Sequence, residues 1–121
     1  MDMTEPGAAK RRLNADRDQA LAGLADLERD FAAIVTSASE GSAGSDDEHD
    51  PEGATVAFER QHVAALISQA REHLAAIDAA LRKIDSGKYE ICDKCGAPIG
   101  AERLAARPAA LTCVNCARAR R

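Results

Sequence analysis

Tryptophan is missing from the 121 residues, which hold only one tyrosine and two phenylalanines. Large rings supply much of the buried area of an ordinary globular core, so a thick core is excluded. No apolar run approaches the ~20 residues a membrane-spanning helix needs. The opening Met1-Asp2-Met3-Thr4-Glu5-Pro6 has no charged-then-apolar leader pattern. A cytoplasmic protein with no membrane association is expected, in a compartment where thiols stay reduced. The sequence also lacks a Ser/His/Asp or Cys/His arrangement, a phosphate-binding loop and an open metal position. No enzymatic activity is expected. Dense basic stretches with interleaved aromatics are missing too, which speaks against direct DNA binding.

What is present is alanine and charge. Charged residues make up 30% of the chain, a mix typical of long helices and coiled coils. The formal net charge of −4 is unevenly spread. Residues 40–52 carry Glu40, Asp46, Asp47, Glu48, Asp50 and Glu52 with no Lys or Arg among them. From Lys88 onward seven Lys or Arg face three acids, closing on Arg118, Arg120 and Arg121.

Hydrophobic spacing predicts two helices. Leu13, Arg17, Ala20, Leu24, Leu27, Phe31, Ile34 and Ala38 recur at alternating intervals of four and three between about Thr4 and Ser39, a heptad seam. Gly41 and the Ser/Gly stretch to Ser45 are expected to stop this helix. A second helix is predicted to start near Asp50-Pro51-Glu52, with Asp50 as N-cap and Pro51 at the first helical position. Its seam is Val56, Arg60, Val63, Ile67, Ala70, Leu74, Ile77, Leu81 and Ile84, ending near Ser86-Gly87.

The two seams match as antiparallel partners. Ala38 pairs with Val56, Ile34 with Arg60, Phe31 with Val63, Leu27 with Ile67, Leu24 with Ala70, Ala20 with Leu74, Arg17 with Ile77, and Leu13 with Leu81. Residue numbers in every pair add to 94, which centres the turn on Asp47. The arm from the Leu13–Leu81 layer to that turn is ~34 residues, or about 50 Å at 1.5 Å per residue, with the acidic cluster at its tip. Arg17 and Arg60 interrupt the apolar seam, and their stems can lie along it while the heads reach water or an acid. The expected molecule is all-α: residues 1–87 form an antiparallel coiled-coil hairpin with an acidic tip at about 40–53. Residues 88–121 form a small four-cysteine module with a short C-terminal helix. A monomer is expected, and a dimer of opened helices is the alternative.

Cys92-Asp93-Lys94-Cys95 and Cys113-Val114-Asn115-Cys116 repeat a C-x2-C spacing across seventeen residues. A two-residue gap lets both thiolates of a turn reach one ion at ~2.3 Å, and two such turns close a tetrahedron. One Zn(2+) per chain, ligated by Cys92, Cys95, Cys113 and Cys116, is predicted. A site saturated by four thiolates holds structure and leaves no Lewis-acid position. His49, His62 and His73 show no ligand spacing toward the cysteines.

The run Gly87-Lys88-Tyr89-Glu90-Ile91-Cys92-Asp93-Lys94-Cys95-Gly96, then Ile99, Arg103-Leu104, Ala106-Arg107-Pro108 and Cys113-x-x-Cys116, resembles the DksA/TraR zinc finger. The segment Asp47-Glu48-His49-Asp50-Pro51-Glu52-Gly53-Ala54-Thr55 looks like the form in actinobacterial members. That resemblance implies a cytoplasmic regulator that binds bacterial RNA polymerase. Its hairpin would enter the secondary channel, so that the tip acids Asp46, Asp47, Glu48, Asp50 and Glu52 modulate initiation. The alternative is a zinc-finger module that binds nucleic acid or another protein directly, without entering the channel.

Three departures from the family pattern qualify what the resemblance implies. Asp47 and Asp50 fit the two tip aspartates, but Glu52 stands where alanine is usual. At the basic positions that bind guanosine tetraphosphate only Arg107 remains, as a nucleotide or phosphate contact, while Ala76 and Ala117 replace lysines. The extended C-terminal helix is not expected, since five residues follow Cys116. Polymerase binding is therefore expected and an alarmone response is not.

Overall fold

The structure, a computed structural model, describes residues 5–42 and 51–119; over 38–42 and 51–52 it describes the helical backbone alone. Asp46, Asp47, Glu48, His49 and Asp50, and with them the turn centred on Asp47 and the Asp50 cap, lie outside the described residues. So do Arg120, Arg121 and the side chains of Ala38, Glu40 and Glu52.

Helix α1 runs Pro6–Ser42 and α2 runs Pro51–Asp85. Each opens on proline, whose missing N–H is no loss in the first turn and whose fixed φ already suits a helix. α2 begins and ends where its pattern predicts. α1 begins at Pro6 rather than Thr4 and continues through Gly41 to Ser42, correcting the expected stop near Ser39. A glycine inside a helix costs only about 1 kcal/mol relative to alanine, too little to halt a helix already several turns long. Two short helices follow, α3 Ala101–Ala106 and α4 Val114–Arg118, with an isolated antiparallel bridge between Ile91 and Pro98. The architecture is all-α, as the sequence predicts, and no helix is long and apolar enough to cross a membrane among the described residues.

The end of α2 is fixed by backbone chemistry. Gly87 takes φ 75°, its N–H donates to Ile84 O at 3.1 Å, and Lys88 N–H donates to Lys83 O at 2.8 Å. These two bonds make a Schellman motif, which satisfies carbonyls the helix leaves orphaned and needs a left-handed residue next to the cap.

The chain divides into two compact units, Met1–Ala20 with His73–Arg121, and Leu21–Glu72. The division passes through both long helices and does not coincide with the sequence-based boundary at residue 87. In the first unit, Ala9 and Leu13 of α1 and Ile77 and Ala80 of α2 share one buried cluster with Tyr89, Cys92, Ile99, Leu104 and Cys113. Leu13, Ile77 and Leu104 are its largest fully buried side chains. The cysteine-bearing segment thus completes its core with the helix residues beside it. Lys10 pairs with Asp85 at 3.4 Å and Arg17 with Asp78 at 2.8 Å. A step of seven up α1 matches a step of seven down α2, the signature of antiparallel heptads. Arg17, which interrupts the seam, does find an acid.

In the second unit α1 keeps Leu24, Leu27, Phe31 and Ile34 half-buried and exposes its other described side chains. On α2, Ile67 is buried and Val56, Val63 and Ala70 are half-buried, whereas Arg60 is exposed. Two helices can shield only the facing stripe of each partner, which explains the partial burial. Arg71 and Glu28 approach to 3.8 Å across this pair.

Candidate metal centre

Each cysteine pair sits on a turn whose backbone bonds set the thiol directions. At the first, Cys92 N–H donates to Ala97 O at 2.8 Å and Gly96 N–H to Cys92 O at 3.0 Å. Gly96 takes φ 74°, a left-handed conformation that is easiest without a Cβ. The amide of Lys94 points at Cys92 Sγ, 3.4 Å away. At the second turn, Cys113 stands at the N-cap of α4 and its carbonyl accepts from Ala117 N–H at 3.0 Å. Asp93 N–H donates to Leu111 O at 2.9 Å, tying the two turns together.

The four Sγ atoms of Cys92, Cys95, Cys113 and Cys116 lie within 4.8 Å of one another, and Cys95 Sγ is 3.7 Å from Cys113 Sγ. Thiolates at ~2.3 Å from a tetrahedral zinc would stand about 3.8 Å apart. The donor set and its spacing therefore fit a soft metal ion with every position taken. Electrostatics agree. Backbone amides of Cys95, then Cys113, then Lys94 lower the Cys92 thiol to about 6 against the effect of burial. The amide of Cys116 lowers Cys113. Cys116 is pushed up to about 12, chiefly by hydrogen bonding with Cys113 and Cys95 and by burial. Gathering four thiolates without a cation is unfavourable, and a divalent ion would offset that repulsion.

Three cationic side chains brace this region; Arg103 belongs to the run that resembles the DksA/TraR finger, and no sequence pattern marks Lys83 or Arg12. Lys83 Nζ reaches Ile91 O at 2.6 Å and Asp93 Oδ1 at 3.0 Å. Arg103 Nε donates to Thr112 O at 2.8 Å, and Arg12 donates to Ala105 O at 2.7 Å. Their acceptors are mostly backbone carbonyls, so no charge pattern along the chain could have announced them. Arg107 is exposed at the C-cap of α3. It borders a cavity of about 520 Å³ with Arg12, Asp16, His73 and Ala76. Of the tip acids, only Glu52 falls on a described backbone position, in the first turn of α2.

Comparison with known proteins places this geometry. Residues 87–121 match the prokaryotic dksA/traR C4-type zinc finger. The uncharacterized protein YteA of Bacillus subtilis is 42% identical over 66 residues, covering 54% of this chain and 28% of that protein. The RNA polymerase-binding transcription factor DksA of Haemophilus influenzae is 44% identical over 46 residues, covering 38% of this chain and 32% of that protein. The matches thus span less than a third of either relative. The solved structure of transcription factor DksA2 from Pseudomonas aeruginosa superposes with a TM-score of 0.72 at 22% identity, covering 99% of this chain and 85% of that one. At that identity the likeness establishes the fold. Residues 87–121 thus carry a C4 zinc finger of the DksA/TraR type, set in a fold shared with DksA2.

Proposed function

We propose that this protein is a transcription regulator that binds bacterial RNA polymerase, with one zinc ion held by Cys92, Cys95, Cys113 and Cys116. In this reading residues 1–87 are the hairpin arm and 88–121 the finger. The tip acids Asp46, Asp47, Glu48, Asp50 and Glu52 enter the secondary channel and modulate initiation, in the cytoplasm. The observation that carries the proposal is a C4 finger of the DksA/TraR type within a chain whose fold follows DksA2 over 99% of its length. Relatives 44% identical over 46 and 45 residues are RNA polymerase-binding transcription factors. When bound, zinc supplies cross-linking of four thiolates and no reactive position.

A pull-down of core RNA polymerase by the purified chain tests the reading. The intact protein should retain polymerase in the absence of DNA. Capture of DNA without polymerase would replace it with direct nucleic-acid binding.

A further inference from the structure

Lys83 lies in the last turn of α2, yet its side chain is only 12% exposed. Burying an ammonium group costs free energy unless its protons find acceptors. The three ammonium donors have three acceptors here. They are Ile91 O at 2.6 Å, Asp93 Oδ1 at 3.0 Å and, most distantly, Leu111 O at 3.5 Å. These partners have a common property. Ile91 and Asp93 flank Cys92, and Leu111 stands two residues before Cys113. One side chain thereby grips both segments that deliver the first cysteine of each pair. Leu111 O also receives Asp93 N–H at 2.9 Å, so all three acceptors belong to one connected network. The backbone of Lys83 is fixed as well, since its carbonyl accepts from Lys88 N–H in the Schellman motif. The ammonium therefore works from a rigid base.

We propose that Lys83 is the positioning residue of the metal centre, holding the two cysteine turns at ligating separation so that the ion meets a preformed cradle. The inference rests on the zinc reading above. Groups that orient metal ligands from outside the coordination sphere typically change affinity about 10–100-fold when removed. Lys83→Met keeps the stem and removes every donor, leaving Ile91 O and Leu111 O without this partner. Asp93→Ala removes one acceptor from a half-exposed position, so it should fold whether or not Lys83→Met does. Lys83→Arg retains a cation with several donors.

The test titrates reduced, metal-free full-length chains with Zn(2+) against a competing chelator, and records helicity of each metal-free form by far-ultraviolet circular dichroism. Failure of the unaltered chain to bind one Zn(2+) would sink the zinc reading, separately from the role of Lys83. With binding established, Lys83→Met should weaken affinity about 10–100-fold at unchanged metal-free helicity. Asp93→Ala should weaken it by a smaller factor, and Lys83→Arg should recover most of the loss. The double variant Lys83→Met, Asp93→Ala should bind no worse than Lys83→Met alone, because Asp93 acts through the ammonium. A side chain that steadied the fold equally with and without metal would leave affinity untouched. Affinity equal to that of the unaltered chain in Lys83→Met, or in Asp93→Ala should the first fail to fold, overturns the proposal.

Discussion

Tyr89 is the one tyrosine of a chain without tryptophan, so its optical signals report a single site. It is buried in the core of the first unit, and its hydroxyl donates to Pro108 O at 2.8 Å. Burial raises its pKa above 10.0, the charge of Arg12 opposes that rise, and Glu90 adds to it. The folded state thus holds the phenolic proton more tightly than the unfolded chain. Its contribution is complete below pH 10.0, the unfolded value, and is lost as pH rises through the folded value. Tyrosinate absorbance should accordingly appear at higher pH in the native protein than in denaturant, and coincident titrations would contradict the assigned burial. Tyr89→Phe should lower stability by about 1 kcal/mol in chemical denaturation, since Pro108 O then loses this donor. No stripe or motif marks Tyr89 as core. It stands out only as part of the finger run, because its partners, Pro108 and the α1 and α2 side chains, are remote in sequence.

At the scale of elements, the helices were legible because periodicity is a local property. The seam residues Leu24, Leu27, Phe31 and Ile34 are the ones α1 shields over Leu21–Val35 and beyond to Thr36 and Ser37. Leu13 and Ile77 are fully buried. The cysteine spacing was equally legible, since two short turns dictate where four thiols can meet. What the sequence could not display is that residues beyond 87 share a core with α1 and α2, because that core joins Leu13, Ile77 and Leu104 across gaps no local pattern spans. This sharing changes the consequence of losing metal. Cys95→Ser or chelation should loosen, without dispersing, the cysteine turns that Lys83 holds together, and with them the helix residues that pack on the finger. Amide hydrogen exchange should quicken around Ala9–Leu13 and Ile77–Leu81, while the amides of Leu24–Phe31 keep their protection. Unchanged exchange at Leu13 and Ile77 would show that the helices hold without the finger. Gly87→Ala offers a second check at this scale. A Cβ there meets nothing within 4 Å, so the cost is the strain of φ 75° alone, about 1 kcal/mol, with zinc stoichiometry unaffected.

For the molecule acting as a whole, the charges around Arg107 bear on small-molecule control. Its cavity adds Arg12 and His73 but also Asp16, and Ala76 contributes no charge. Arg12 already donates to Ala105 O. A highly charged nucleotide normally needs several unopposed cations, and bidentate phosphate contacts from one arginine are insufficient. Guanosine tetraphosphate should therefore change the protein's effect on transcription in vitro little, and strong potentiation would mean polymerase completes the site. The tip acids expose the functional proposal most directly. If Asp47 and Asp50 act near the catalytic centre of polymerase, the paired change Asp47→Asn, Asp50→Asn should abolish the effect on initiation. Capture of polymerase should persist, because most of the contact area would come from the helical flanks and the finger. Asparagine serves at a helix N-cap about as well as aspartate, so the pair should fold normally. Glu52→Ala removes a charge and supplies the alanine that the resemblance implies at this position, and should strengthen the effect if that charge tempers it. Full activity of the double asparagine variant, with polymerase still captured, would show that the acids serve only solubility and that regulation proceeds from another surface.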